Sequence, residues 1–154
     1  MSVETIRRFL APYGLAERIR EFEVSSATVE LAARVVGVEA ARIAKTLSFR
    51  NGESCLIVVA AGDARVDNQK FKARFGMKAR MLAPEEAVAL TGHAVGGVCP
   101  FALPAGVPVY LDVSLRRFAT VLPAAGSAQS AVELSCEELE RCSGGEWADV
   151  CAVG

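Results

Sequence analysis

Ile43-Ala44-Lys45-Thr46-Leu47-Ser48-Phe49, followed by Asn51-Gly52 and then Cys55-Leu56-Ile57-Val58-Val59-Ala60-Ala61, is the stretch that decides the fold. The first segment alternates at the period of a strand, Asn51-Gly52 is a strong two-residue hairpin turn, and the apolar run reads as a buried partner strand. One position breaks the pattern. Lys45 takes the same strand face as Ile43, Leu47 and Phe49, while Ala44, Thr46, Ser48 and Arg50 look outward. An unpaired buried ammonium costs several kcal/mol, so Lys45 is paired, lines a pocket, or sits near a strand end with its stem reaching water.

Outward from this hairpin the chain alternates helices and strands. Val3, Ile6, Phe9 and Leu10 lie at helical spacing before Pro12 and Gly14, giving an N-terminal amphipathic helix over about residues 3–11. Ile19 to Val24 alternates weakly. Thr28 can cap a second helix that Gly37 closes, and Asp67 a third that runs to Phe75 and ends at Gly76. Pro84 opens a short helix to Thr91. Val107 to Val113 and Phe118 to Leu122 read as strands flanking a turn at Ser114 to Arg117, and Pro123 to Ala128 as a loop. Ser135 and Glu138 form a capping box for a last helix to Cys142, and Ala148 to Val153 finishes the sheet.

The 154 residues suffice for one domain with its own core, and 52% hydrophobic with 23% charged residues excludes disorder for most of the chain. The run from Cys55 to Ala61 is too short to cross a bilayer, and no signal-peptide pattern follows Arg7 and Arg8, so a cytoplasmic protein is expected. The five cysteines form no Cys-x-x-Cys pair and His93 is the single histidine, which argues against a disulfide framework and against a metal site. Net charge is −1, but six basic residues and one acidic lie between Arg65 and Arg80, and six acidic and one basic between Glu133 and Asp149. One strongly basic face, carrying Arg65, Lys70, Lys72 and Arg74, would suit a phosphate-bearing partner; a solvated helix balanced by acidic residues elsewhere is the plainer alternative.

His93-Ala94-Val95-Gly96-Gly97-Val98-Cys99-Pro100-Phe101 is the second distinctive stretch. Paired glycines allow close backbone approach to a ligand, and Pro100 stiffens the loop, so its amides can stabilise a developing negative charge; the same pattern also occurs in plain turns. Cys99 with His93 as base would make a thiol hydrolase, although six residues of separation guarantee no contact, and a surface loop histidine is the plainer account of His93. Asp112 and Ser114 end a strand and begin a turn, near where a pocket is expected to close; a turn or cap role explains Ser114 equally well, and Arg116, Arg117 and Lys45 are alternative partners for Asp112.

Taken together, Ala44-Lys45-Thr46-Leu47, Gly62-Asp63-Ala64-Arg65-Val66-Asp67 and Gly96-Gly97-Val98-Cys99-Pro100-Phe101, in this order, resemble the YbaK family from about Thr28 onward. That family comprises the editing domain of bacterial prolyl-tRNA synthetases and its stand-alone homologues. The resemblance implies an α+β fold over residues 1–154 as a single domain, a curved mixed sheet with helices outside, and Lys45 and the Gly96-Gly97 loop at one opening. It implies hydrolysis of mischarged aminoacyl-tRNA, foremost tRNAPro carrying a small wrong amino acid, without a cofactor or a side-chain general base. A synthetase is a possible partner; oligomeric state is left open. Lys45, Gly96, Gly97 and Pro100 would carry the reaction, Thr46, Val98, Cys99, Phe101 and Asp112 would contact the substrate, and Arg65, Lys70, Lys72 and Arg74 would meet tRNA phosphates. Cys99 stands where serine is frequent in the family and Ala102 where glycine is, which leaves a non-catalytic binding module of the same fold as the alternative.

Overall fold

The computed structural model describes residues 2–23, 28–93 and 98–153. In chain order the elements are α1 (Val3–Leu10), β1 (Ile19–Glu21), α2 (Val29–Val36), β2 (Ile43–Asn51), β3 (Ser54–Ala61), β4 (Ala64–Val66), α3 (Asn68–Phe75) and α4 (Pro84–Thr91). There follow β5 (Val109–Asp112), β6 (Thr120–Pro123), β7 (Ser130–Val132), β8 (Leu134–Ser135), α5 (Cys136–Ser143), β9 (Glu146–Ala148) and β10 (Cys151–Val153). The helices end as the sequence indicated. Thr28 Oγ1 accepts from the Leu31 amide, Asp67 caps α3 through the Lys70 amide, and Ser135 and Glu138 close a reciprocal capping box on α5.

A six-stranded mixed sheet in the order β8-β6-β2-β3-β5-β9 forms the frame, with two small antiparallel pairs, β1 with β7 and β4 with β10, beside it. The β2–β3 hairpin lies at its centre, with Ala44 opposite Ala61 and Asn51 opposite Ser54. Asn51 is thus the last paired residue and Gly52-Glu53 forms the loop, one residue later than the Asn-Gly signal suggested; Gly52, at φ 64°, takes the left-handed position. β5 pairs parallel to β3, and β6 parallel to β2, so both hairpin strands are interior. This overturns the expectation that Ala44 and Ser48 look outward: both are buried, as interior strands covered on two faces require. The expected strands at 107–113 and 118–122 shorten to β5 and β6, because Val113–Arg117 winds into a 3-10 turn. Residues 148–153 divide between β9, at the edge of the large sheet, and β10 on β4. Val24, the expected end of the weak N-terminal strand, lies outside the described residues.

The core is continuous across the sheet. Phe49, Phe71, Phe75 and Tyr110 stack successively with ring centroids 4.9, 4.6 and 4.8 Å apart, which fastens α3 to the hairpin and to β5. A second, smaller cluster of Ala32, Ala33, Ile43 and Leu122 seats α2 against the start of β2. Among the described residues no helix is long and apolar enough to cross a membrane.

Candidate active site

β2 has two edges, and its second edge is only partly paired. Ile43 and Ala44 pair with Leu122 and Pro123 of β6, while further on the Arg50 amide donates to the Arg80 carbonyl (2.8 Å) and the Leu82 amide to the Ser48 carbonyl (3.1 Å). Between these two attachments, Lys45 to Leu47 has no ladder partner on that edge among the described residues. A cavity of about 430 Å³ opens there, within the range usual for small-ligand sites. β2 supplies one wall, and α2, the start of α4 with Met81 and Leu82 before it, and the loop leading into β7 supply the others. Its surface is made largely of small apolar side chains, among them Ala32, Ala44, Ala87, Ala124 and Ala131.

Lys45 stands on this wall, half-buried, and its Nζ donates to the Ala64 carbonyl in β4. The anomaly in the strand pattern is therefore resolved by a backbone acceptor: no ion pair of Lys45 occurs among the described residues. An ammonium has three donors, so two remain for a ligand. Thr46 lines the same wall, and its Oγ1 is buried without a hydrogen-bond partner among the described residues. Val98 also lines the cavity. Gly96 and Gly97 lie outside the described residues.

Other residues expected at the site have different duties. Cys99, Pro100 and Phe101 are buried, and none is on the cavity wall; Phe101 packs against Phe9 of α1, centroids 6.0 Å apart. Asp112 clamps backbone: Oδ1 accepts from the Val150 and Cys151 amides (2.9 and 3.1 Å) and Oδ2 from the Ser114 amide (2.9 Å). Neither arginine is its partner. Arg117 pairs with Asp63, and Arg116 lies over the Trp147 ring at 4.3 Å.

His93 is fully buried, against the expectation of a surface loop histidine, and its Nε2 lies 3.6 Å from Cys99 Sγ. Proximity does not make this a catalytic pair. The same nitrogen lies 3.0 Å from the Phe101 carbonyl, which can only accept, so Nε2 carries the hydrogen and has no lone pair for the thiol. Burial lowers the His93 pKa and pushes the Cys99 thiol up to about 12. A neutral thiol beside a neutral imidazole that donates elsewhere is a packed core contact.

The basic run on α3 faces the acidic C-terminal stretch. Lys70 Nζ pairs with Asp149 and Arg74 with Glu146, at 3.0 and 2.8 Å. Arg65 and Lys72 are exposed and have no ion-pair partner among the described residues. The sequence reading missed the remaining walls: Met81, the start of α4, and Ser130. Ser130 Oγ accepts from the Ala125 and Ser127 amides and donates to the Ser127 carbonyl, locking the loop that closes the cavity. The serine-rich run Ser127 to Ser130 was the available signal, since such hydroxyls commonly fold a loop on itself.

A mixed sheet holds a recessed cavity with one lysine on its wall, and among the described residues no nucleophile–base pair is assembled there, an arrangement suited to orienting a bound ligand rather than attacking it. Comparison with known proteins agrees. The aminoacyl-tRNA editing domain family matches residues 23–142, and the chain belongs to that family. Editing by this class is hydrolysis of the aminoacyl ester, so the chain is an aminoacyl-tRNA deacylase by class. The chain is 52% identical over 153 residues, 98% of each chain, to the uncharacterized protein YwhH of Bacillus subtilis (strain 168). It is 28% identical, over 80% of this chain and 76% of the relative, to the putative Cys-tRNA(Pro)/Cys-tRNA(Cys) deacylase EbsC of Enterococcus faecalis (strain ATCC 700802 / V583). The crystal structure of a putative trans-editing enzyme for prolyl tRNA synthetase superposes with a TM-score of 0.88 at 29% identity, covering 97% of this chain and 96% of that one.

Proposed function

We propose that this protein hydrolyses tRNAPro mischarged with a small, uncharged amino acid, acting in trans on free aminoacyl-tRNA. The observation that carries this reading is the cavity beside Lys45 to Leu47 of β2, where Lys45 and a Thr46 hydroxyl without a partner among the described residues meet walls of alanine side chains. A buried hydroxyl without a partner costs about 1–3 kcal/mol, which a bound substrate would remove by hydrogen bonding to it. Those walls suit a short side chain and, among the described residues, include no carboxylate to pair with a second ammonium. The descriptions of EbsC as a putative Cys-tRNA(Pro)/Cys-tRNA(Cys) deacylase and of the structural relative as a putative trans-editing enzyme for prolyl tRNA synthetase support the choice of proline-accepting tRNA.

The aminoacyl ester is already activated, so the protein must mainly orient it, admit water and stabilise charge. Lys45 holds the terminal nucleotide through its phosphate or ribose. The backbone amides of Gly96 and Gly97 receive the negative charge that develops on the ester carbonyl as water adds. The bond to the ribose oxygen then breaks, and that oxygen takes up a proton as the free amino acid departs. A neighbouring ribose hydroxyl orients the water, which accounts for a site built without a side-chain base. Arg65 and Lys72 are the cations left to meet acceptor-stem phosphates; Lys70 and Arg74 join them only by giving up Asp149 and Glu146. The reaction belongs in the cytoplasm, where a synthetase that makes the error supplies the substrate.

The test is single-turnover deacylation of tRNAPro carrying alanine, serine, threonine or cysteine, by the wild type and by Lys45→Ala. Hydrolysis of at least one species, lost in the variant, is expected. Hydrolysis confined to a different tRNA, or unaffected by the substitution, would overturn the reading.

A further inference from the structure

The corner Ala61-Gly62-Asp63-Ala64 between β3 and β4 is fixed from several sides. The Ala61 amide donates to Ser114 Oγ (3.2 Å), and Ala64 pairs with Val153. A Cβ on Gly62 would lie 2.0 Å from the Ala40 carbonyl oxygen, so only glycine fits at this approach. These contacts hold the backbone without any charge. Asp63 nevertheless carries a two-pronged ion pair, with Arg117 Nη1 and Nη2 at 3.0 and 2.5 Å from its two oxygens. Arg117 is aimed in turn by its Nε, which donates to the Ser114 carbonyl at 2.8 Å, and by lying over the Phe118 ring at 4.8 Å. Both partners are about one-third exposed, where an ion pair adds little to stability. Its role is better sought in what lies next to it.

Asp63 immediately precedes Ala64, whose carbonyl holds the Lys45 ammonium. The Asp63 carboxyl is held below the usual carboxylate range by Arg117 first and, more weakly, by the field of Lys45. A carboxylate freed of Arg117 would be a stronger acceptor for Lys45 than the neighbouring carbonyl. We propose that Arg117 is a positioning residue for Lys45: by occupying both oxygens of Asp63, it prevents that carboxylate from capturing the ammonium. Lys45 then stays on the Ala64 carbonyl at the cavity wall, with its other two N–H groups available to substrate. The inference rests on the role given to Lys45 above.

Deacylation is measured for wild type, Lys45→Ala, Arg117→Ala, Asp63→Asn and the Arg117→Ala/Asp63→Asn double variant, with Arg117→Gln replacing the alanine variant if that does not fold. Arg117→Ala lowers kcat/KM by about ten- to hundredfold, the scale of a misplaced positioning group. Asp63→Asn alone stays near wild type, and adding it to Arg117→Ala restores most of the lost activity, because the decoy charge is gone. A crystal structure of Arg117→Ala shows Lys45 Nζ on the Asp63 carboxylate. If the double variant is as impaired as Arg117→Ala, or Arg117→Ala is fully active while Lys45→Ala is dead, the positioning role is overturned and the Lys45 reading survives. An active Lys45→Ala overturns both.

Discussion

Lys45 on β2 and the contact of His93 with Cys99 are two places where reactive side chains meet the core, and they differ in access to open space. His93 and Cys99 are fully buried 3.6 Å apart, the imidazole donates to a carbonyl, and burial keeps the thiol protonated. Lys45 is half-buried on a cavity wall and spends one of its donors on a carbonyl. The first place has the more reactive residue types and the second has an opening. Contact between reactive side chains is common in a packed core; a charged group beside accessible space is the scarcer arrangement.

Substitutions can test this contrast in order of expected effect. Lys45→Ala should cost at least about a hundredfold in deacylation, the scale set by losing a charge that holds the reacting group. Cys99→Ala should instead lower unfolding free energy by about 1–2 kcal/mol in urea titration, the cost of a small buried cavity, and leave deacylation nearly unchanged. Near-total loss of activity in that variant would restore the thiol mechanism.

The histidine gives a smaller, pH-dependent signal. Its folded pKa lies below the ordinary value of 6.5, so the unfolded chain takes up the proton first. Stability from this group is intact above about pH 7 and falls as pH drops through 6.5. Urea unfolding between pH 7.5 and 5.5 checks this, and His93→Gln should flatten the slope. Smallest is Ala102, which stands at φ 54° immediately after Phe101 in the stretch that anchors His93. Ala102→Gly should raise stability by about 0.5–1 kcal/mol, since an L side chain is strained in the left-handed region.

Local signals carried the helices and the central hairpin. Thr28, Asp67 and Ser135 cap where expected because capping is settled within three residues of sequence. The same locality explains the misses. β7 and β8 are three and two residues long, too short for a periodicity, and β4 exists because β10 pairs with it from the far end of the chain. At the site, Lys45 was visible because a strand displays its departures from alternation, whereas Thr46 fitted the alternation and was marked only by the family resemblance. The partners of Asp112 were not legible, because they are the amides of Ser114, Val150 and Cys151, two of them nearly forty residues away. The basic run on α3 was visible as composition, but its neutralisation by Asp149 and Glu146 depends on the chain's return past α3.

The unpaired stretch of β2 also bears on solubility. An open sheet edge is a template onto which another chain can add a strand and begin aggregation. Here the open stretch runs only from Lys45 to Leu47, is closed off at one end by β6 and at the other by residues 80–82, and includes a cation. A foreign strand would find no length along which to register, so the recess offers little template for one copy of the protein to zip onto another.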